Sequence, residues 1–231
     1  MTISSTVPLL RAAPLLKHMP IRTRTERRVQ RLLHEQLAPT VPMPRPTLWS
    51  ASWETLHSLC SLIRRSRRPV TMAEFGSGAS TVWFALAARA AGGGHIHSVD
   101  HEQKFRRATQ DLLRQHGVAD YATVHHAPLR PCALNDRQPW YDSDVVAGHP
   151  SGINLVFVDG PVASIGRRVR YPALPSIADK LADTCTVVLD DTHRSKEQRI
   201  WRDWIAELSA DFSVSVQPPL SRSTAMILRR R

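Results

Sequence analysis

"MAEFGSGAST" (72–81) is the stretch on which the reading of this chain turns. A short apolar run leads into two glycines that flank a serine, and a glutamate stands two residues before the first glycine. The run has a strand's length. "STVWFALAARAA" (80–91) behind it is helical in character, so the segment reads strand, turn, helix. Gly76 and Gly78 can take positive φ and let a ligand come close to the backbone. The N–H groups of Ser80 and Thr81 open the helix without intrahelical partners and point at whatever sits over the turn.

Outward from this unit the chain alternates. "VTMAEF" (70–75) is the first strand, and "GGG" (92–94) stops the helix that follows. "HIHSVD" (95–100) reads as a strand and 101–117 as a helix ended by Gly117. "ATVHHAP" (122–128) is a strand, and 129–152 is polar and loop-like. "INLVFVD" (153–159) is the most apolar strand and belongs at the sheet centre. A looser helix is expected over 171–182, a central strand at "CTVVLDD" (185–191) and an amphipathic helix over 195–208. Two strands, 212–219 and 224–230, close the chain with no helix between them. This order predicts an α/β fold with a doubly wound, mostly parallel sheet and an antiparallel last strand.

Before residue 70 the pattern differs. Residues 1–22 carry three prolines and no periodicity, and read as a flexible lead. "TERRVQRLLHEQL" (25–37) is a helix candidate that Thr25 can cap, and 38–47 holds four prolines and reads as a linker. Trp49, Trp53, Leu56, Leu59, Cys60 and Ile63 recur at helical spacing, as for a helix packed on the sheet. The expected division is a basic extension over 1–47 and one domain over 48–231.

At 231 residues and 42% hydrophobic content, the chain can bury one sizeable core. No apolar run reaches the roughly 18–20 residues of a membrane helix. "VPLLRAAPLL" is too short and interrupted for a secretory signal. A soluble, cytoplasmic protein without a membrane partner is expected. Cys60, Cys132 and Cys185 have no metal or redox spacing and read as buried free thiols.

Residues 1–70 hold twelve Lys/Arg against three Asp/Glu, whereas 71–231 hold nineteen against seventeen. The basic N-terminal third is open to three readings: an arm for nucleic acid or acidic lipid, an Arg-rich transit peptide, or a solvated basic face. Residues 1–48 contain no Trp, Tyr or Phe, so the arm lacks the aromatic interleaving that stacks bases.

The turn itself discriminates among ligands. A phosphate-binding P-loop needs a lysine that is absent here, and the dinucleotide fingerprint needs glycine where Thr81 stands. Glu74 repels a pyrophosphate and suits a cation. "AEFGSGAST" resembles motif I of class I S-adenosylmethionine-dependent methyltransferases, with Ser80 in place of the third glycine. Asp100 closes "HSVD", 22 residues past Gly78, where that family places the acid that takes both ribose hydroxyls. "HHAP", "VFVDGP" and "VVLDD" fall at the next strand ends, and the reversed last strand matches the family's seven-stranded sheet. The resemblance implies that Gly76, Ser77 and Gly78 line the methionine moiety of the cofactor. Glu74 would neutralise its ammonium, Ser80 would open the helix beside it, and Asp100 would hold its ribose. His101, Ala127 and Leu129 would lie near the adenine.

The resemblance extends to metal-dependent O-methyltransferases, in which acids after the fourth and fifth strands hold a divalent ion. Asp159, Asp190 and Asp191 stand at those places and suit Mg²⁺, or they order the turn and cap the last helix. Asp159, Asp191 and His193 are the candidates for proton transfer to or from the acceptor. Arg167, Arg168 and Arg170 either clamp an anionic acceptor or are solvated. The expected activity is methyl transfer to an oxygen of a small molecule. The alternatives are an RNA methyltransferase that uses the basic arm, and a non-catalytic protein that keeps the fold. The oligomeric state is left open.

Overall fold

The computed structural model describes residues 23–44 and 50–231. The lead expected over 1–22, the end of the linker at 45–47 and Trp49 lie outside the described residues. In chain order the strands are β1 (Thr71–Phe75), β2 (His95–Asp100), β3 (Ala122–His126), β4 (Leu129–Pro131), β5 (Pro139–Tyr141), β6 (Ile153–Val158), β7 (Leu181–Leu189), β8 (Phe212–Val216) and β9 (Thr224–Arg230). The helices are α1 (Arg24–Leu37), α2 (Trp53–Arg65), α3 (Ala79–Ala90), α4 (Gln103–Gln115), α5 (Ser143–Ala147) and α6 (Ser195–Leu208).

Seven strands form one sheet in the order β3-β2-β1-β6-β7-β9-β8. The first five pair in parallel. β9 inserts antiparallel between β7 and β8, as the helix-free finish of the sequence predicted. The order reverses between β1 and β6, and in such sheets ligands bind beyond the carboxyl ends at this point. Apolar runs occupy the centre because both faces are covered. One core lies against α1–α4 and the other against α6, the β4–β5 hairpin and the 171–180 segment.

Three expectations are corrected. The N-terminal helix is capped by Thr23, not Thr25: the Thr23 hydroxyl accepts from the Glu26 N–H, and the Glu26 carboxylate accepts from the Thr23 N–H. This helix packs into the core, with Leu33 fully buried and His34 edge-on to Trp83 at 5.1 Å. The segment 171–182 is not an α-helix but two 3₁₀ turns, Tyr171–Ala173 and Pro175–Lys180, and then the start of β7. Pro172 and Pro175 lack N–H donors, so a continuous α-helical ladder cannot form there. Within the polar stretch 129–152 a small hairpin and a short helix bring Trp140 and Tyr141 into the core. The three cysteines are free and buried, as expected.

Candidate active site

The carboxyl ends of β1 and β6 touch. Gly76 has φ +101°, and a Cβ there would lie 3.0 Å from the Gly160 nitrogen. A Cβ on Gly160 would lie 2.2 Å from the Tyr141 hydroxyl and 2.9 Å from the Gly76 Cα. The glycine at 76 is therefore required by the neighbouring strand end as well as by its own backbone. Gly78 differs: its backbone is extended, and a Cβ on it would meet nothing within 4 Å. Open space over the turn lies at Gly78.

Glu74 is fully buried beneath the turn. Its two carboxylate oxygens accept from the Ser80 and Thr81 hydroxyls, each at 2.6 Å. Burial pushes its carboxyl up to about 7, against the pull of those hydroxyls. Glu74, Ser80 and Thr81 thereby fasten the turn to the start of α3. A direct contact from Glu74 to an ammonium is closed by this packing.

Asp100 ends β2 and points back at the turn. Its Oδ2 accepts from the Ser77 N–H at 3.2 Å and the Ser77 hydroxyl at 2.8 Å, and its Oδ1 accepts from the Glu102 N–H at 2.9 Å. A carboxylate offers about four acceptor positions. The Ser77 hydroxyl is the partner that can rotate away and leave Asp100 to a ribose hydroxyl. The residues thus fit a nucleoside, with one hydrogen bond exchanged. The His101 ring lies beside Asp100, with Nδ1 at 3.8 Å from Oδ1, and 6.1 Å from the Tyr141 ring. Ala127 is buried and donates its N–H to the Asp100 carbonyl at 2.8 Å. Leu129 is half-buried and pairs with Tyr141 in the hairpin.

The three acids also come together. One carboxylate oxygen from each of Asp159, Asp190 and Asp191 lies within 4.8 Å of the others. They line a cavity of about 20 Å³ with Arg170, Arg194 and Arg222. Among the described residues Arg170 makes five hydrogen bonds, to the carbonyls of Pro161, Asp190 and Asp159 and to the carboxylates of Asp159 and Asp191. Neither expectation for this arginine holds: it is neither solvated nor free to clamp an acceptor. Arg168 pairs with Asp203 at 2.7 Å and covers the Tyr171 ring, while Arg167 is exposed. Burial, and then the Asp190 charge, raise the Asp159 carboxyl well above the usual carboxylate range. His193 is exposed and does not line the cavity, because the turn after β7 carries it outward.

Sequence reasoning missed Tyr141 and the inward role of Arg170. "QPWYDSD" carries no periodic signal, and three arginines in a loop look alike until one of them is buried. Arg194 was legible in part, since Asp191 and Arg194 are three residues apart; its Nη1 lies 2.9 Å from Asp191 Oδ2.

A glycine turn at the switch point of the sheet, a buried acid at the end of β2 aimed at that turn and a reversed last strand are the features of the class I S-adenosylmethionine-dependent methyltransferases. The sequence profile described as "Methyltransferase domain" matches residues 73–192, and the chain belongs to that family. No curated protein matches it in sequence. Among solved structures it resembles the SAH-bound methyltransferase PaMTH1 of Podospora anserina (15% identity, TM-score 0.59, covering 92% of this chain and 98% of that one). It also resembles an O-methyltransferase of Bacillus cereus in complex with SAH (13%, 0.57, 92% and 93%). A third is the O-methyltransferase TomG of Streptomyces achromogenes, involved in tomaymycin synthesis, in complex with SAM (16%, 0.56, 92% of each chain). At these identities the likeness is one of fold. No helix among the described residues is long and apolar enough to cross a membrane.

Proposed function

We propose that the chain moves a methyl group from S-adenosylmethionine to an oxygen of a small-molecule acceptor. The observation that carries this is the buried Asp100 carboxylate, aimed across the glycine turn at Ser77 beside the switch point. When bound, the cofactor supplies a methyl group on a sulfonium, which leaves readily, so the protein's task is alignment. Asp100 receives the ribose hydroxyls, and the backbone from Gly76 to Gly78 borders the methionine end. Leu129 and His101, both partly exposed, border the adenine side, and the buried Ala127 holds the end of β2 through its N–H to the Asp100 carbonyl. Asp159 stands beside Gly160 at the meeting of the two strand ends. Its raised affinity for protons suits a carboxylate that takes the proton of an acceptor hydroxyl. Arg194 at the cavity rim, and Arg222, whose buried Nε has no partner among the described residues, support an acceptor that carries negative charge. The oxygen acceptor is favoured further by the two O-methyltransferases among the structural neighbours.

Calorimetry with S-adenosylhomocysteine tests the assignment. The wild-type chain should bind, and Asp100→Ala should weaken binding by about tenfold to a hundredfold, the worth of hydrogen bonds to a charged group. Equal affinity in a folded Asp100→Ala chain would sink the proposal.

A further inference from the structure

We infer that the Arg170 guanidinium is the resident cation of the acidic triad and that its presence keeps a divalent metal from binding there. The inference concerns the site of the proposed function but rests on ion occupancy, not on methyl transfer. Three carboxylates at strand ends, with oxygens within 4.8 Å of one another, have the spread of a divalent-ion site. One oxygen of each carboxylate is nonetheless already engaged by a donor of the fold. Arg170 Nη2 lies 3.4 Å from Asp159 Oδ1, and Nη1 lies 3.3 Å from Asp191 Oδ2. Asp191 Oδ2 also faces Arg194, and Asp190 Oδ1 accepts from the Ser223 hydroxyl, which Thr55 in turn contacts at 2.8 Å.

A divalent ion takes oxygens at roughly 2.0–2.6 Å, so an ion on these same atoms would sit against the guanidinium. The arginine is not placed to move aside. It is 2% exposed, and three of its five bonds go to backbone carbonyls of the two strand ends and of Pro161. The remaining cavity, about 20 Å³, has room for about one water and not for a hydrated ion. Arg170 thereby acts as a positioning residue. It ties the ends of β6 and β7 to the loop over 160–170 and holds the Asp159 carboxylate by one charge-assisted hydrogen bond.

The test is Mn²⁺ binding to the full chain, followed by electron paramagnetic resonance of the free ion. Wild type should leave the free Mn²⁺ signal unchanged. Arg170→Met, similar in length and uncharged, should gain one Mn²⁺ per chain and bind it about tenfold or more tighter than wild type. Adding Asp159→Asn to Arg170→Met should abolish that gain. One Mn²⁺ bound by wild type and lost in Asp159→Asn alone would overturn the inference, and so would a folded Arg170→Met chain that gains none. Should Arg170→Met fail to fold, Arg170→Gln, uncharged and able to donate to the same backbone carbonyls, takes its place in the measurement with the same expected gain. A chain that excludes Mn²⁺ yet never binds S-adenosylhomocysteine would leave this inference standing and remove only the methyl-transfer reading.

Discussion

Gly76 and Gly78 are two residues apart and do different work. Gly76 holds positive φ and packs against Gly160, which in turn lies under the Tyr141 hydroxyl. Gly78 is extended and faces open space. Gly160→Ala should therefore destabilise the fold by about 1–3 kcal/mol through overpacking, and Gly76→Ala should add backbone strain to a similar clash. Gly78→Ala should leave the melting temperature nearly unchanged, because its methyl group would enter open space, and should weaken S-adenosylhomocysteine binding if the cofactor takes the proposed place over the turn. Thermal unfolding and calorimetry on the three variants separate these outcomes. A stable, tightly binding Gly78→Ala chain would place the cofactor elsewhere on the turn.

At the scale of elements, α1 shows how a segment of basic composition joins a core. Its surface is rich in arginine, but Leu33 and Leu37 lie on one face and are buried against α2 and α3. Leu33→Ala should cost about 2–5 kcal/mol, read as a lower urea midpoint. A change within a few tenths would mean that α1 is an appendage. The β4–β5 hairpin has only three residues in each strand, yet it delivers Tyr141 over Gly160. Nothing in its local sequence marks that task, because the partner of Tyr141 is a strand end further along the chain. Most strand and helix positions were legible from apolar runs and glycine stops. The 171–180 segment was not, because its prolines compete with an apolar pattern that suggests a helix.

The whole molecule carries proton linkages of two opposed senses, Glu74 and Asp159 being raised by burial and His97, His125 and His149 lowered by it. Glu74 is raised by burial from its usual value to about 7, so its contribution to stability is full below about 4.5 and lost as the pH rises through 7. His97 is lowered by burial, with the neighbouring His95, His149 and His125 adding to the effect, to about 4. Its contribution is full above about 6.5 and lost as the pH falls towards 4. Burial also lowers His125 and His149, which act in the same sense as His97. The two slopes offset each other between these limits. Glu74→Gln removes its share of the downward slope and leaves that of Asp159, so unfolding free energy should rise with pH more steeply than in wild type between about 4.5 and 7. The added slope can reach about 1.4 kcal/mol per pH unit. Urea titrations across that range measure it; parallel curves for the two chains would show that Glu74 does not titrate in the fold.

The amino-acid sequence alone determined the alternation of strands and helices, the glycine turn after the first strand, the acids at the strand ends and the reversal at the end of the sheet. These are local matters of apolar period and chain stiffness, which neighbouring residues dictate. Tertiary structure decided what the acids face. Glu74 turned inward to two hydroxyls, Asp100 to Ser77, and the Asp159, Asp190 and Asp191 cluster to a buried guanidinium. The physical reason is desolvation: a carboxylate taken out of water must find donors, and the tertiary fold supplies them, from the adjoining turn for Glu74 and from another strand end or loop for Asp100 and Asp190, whose donors Ser77 and Ser223 are far away in sequence.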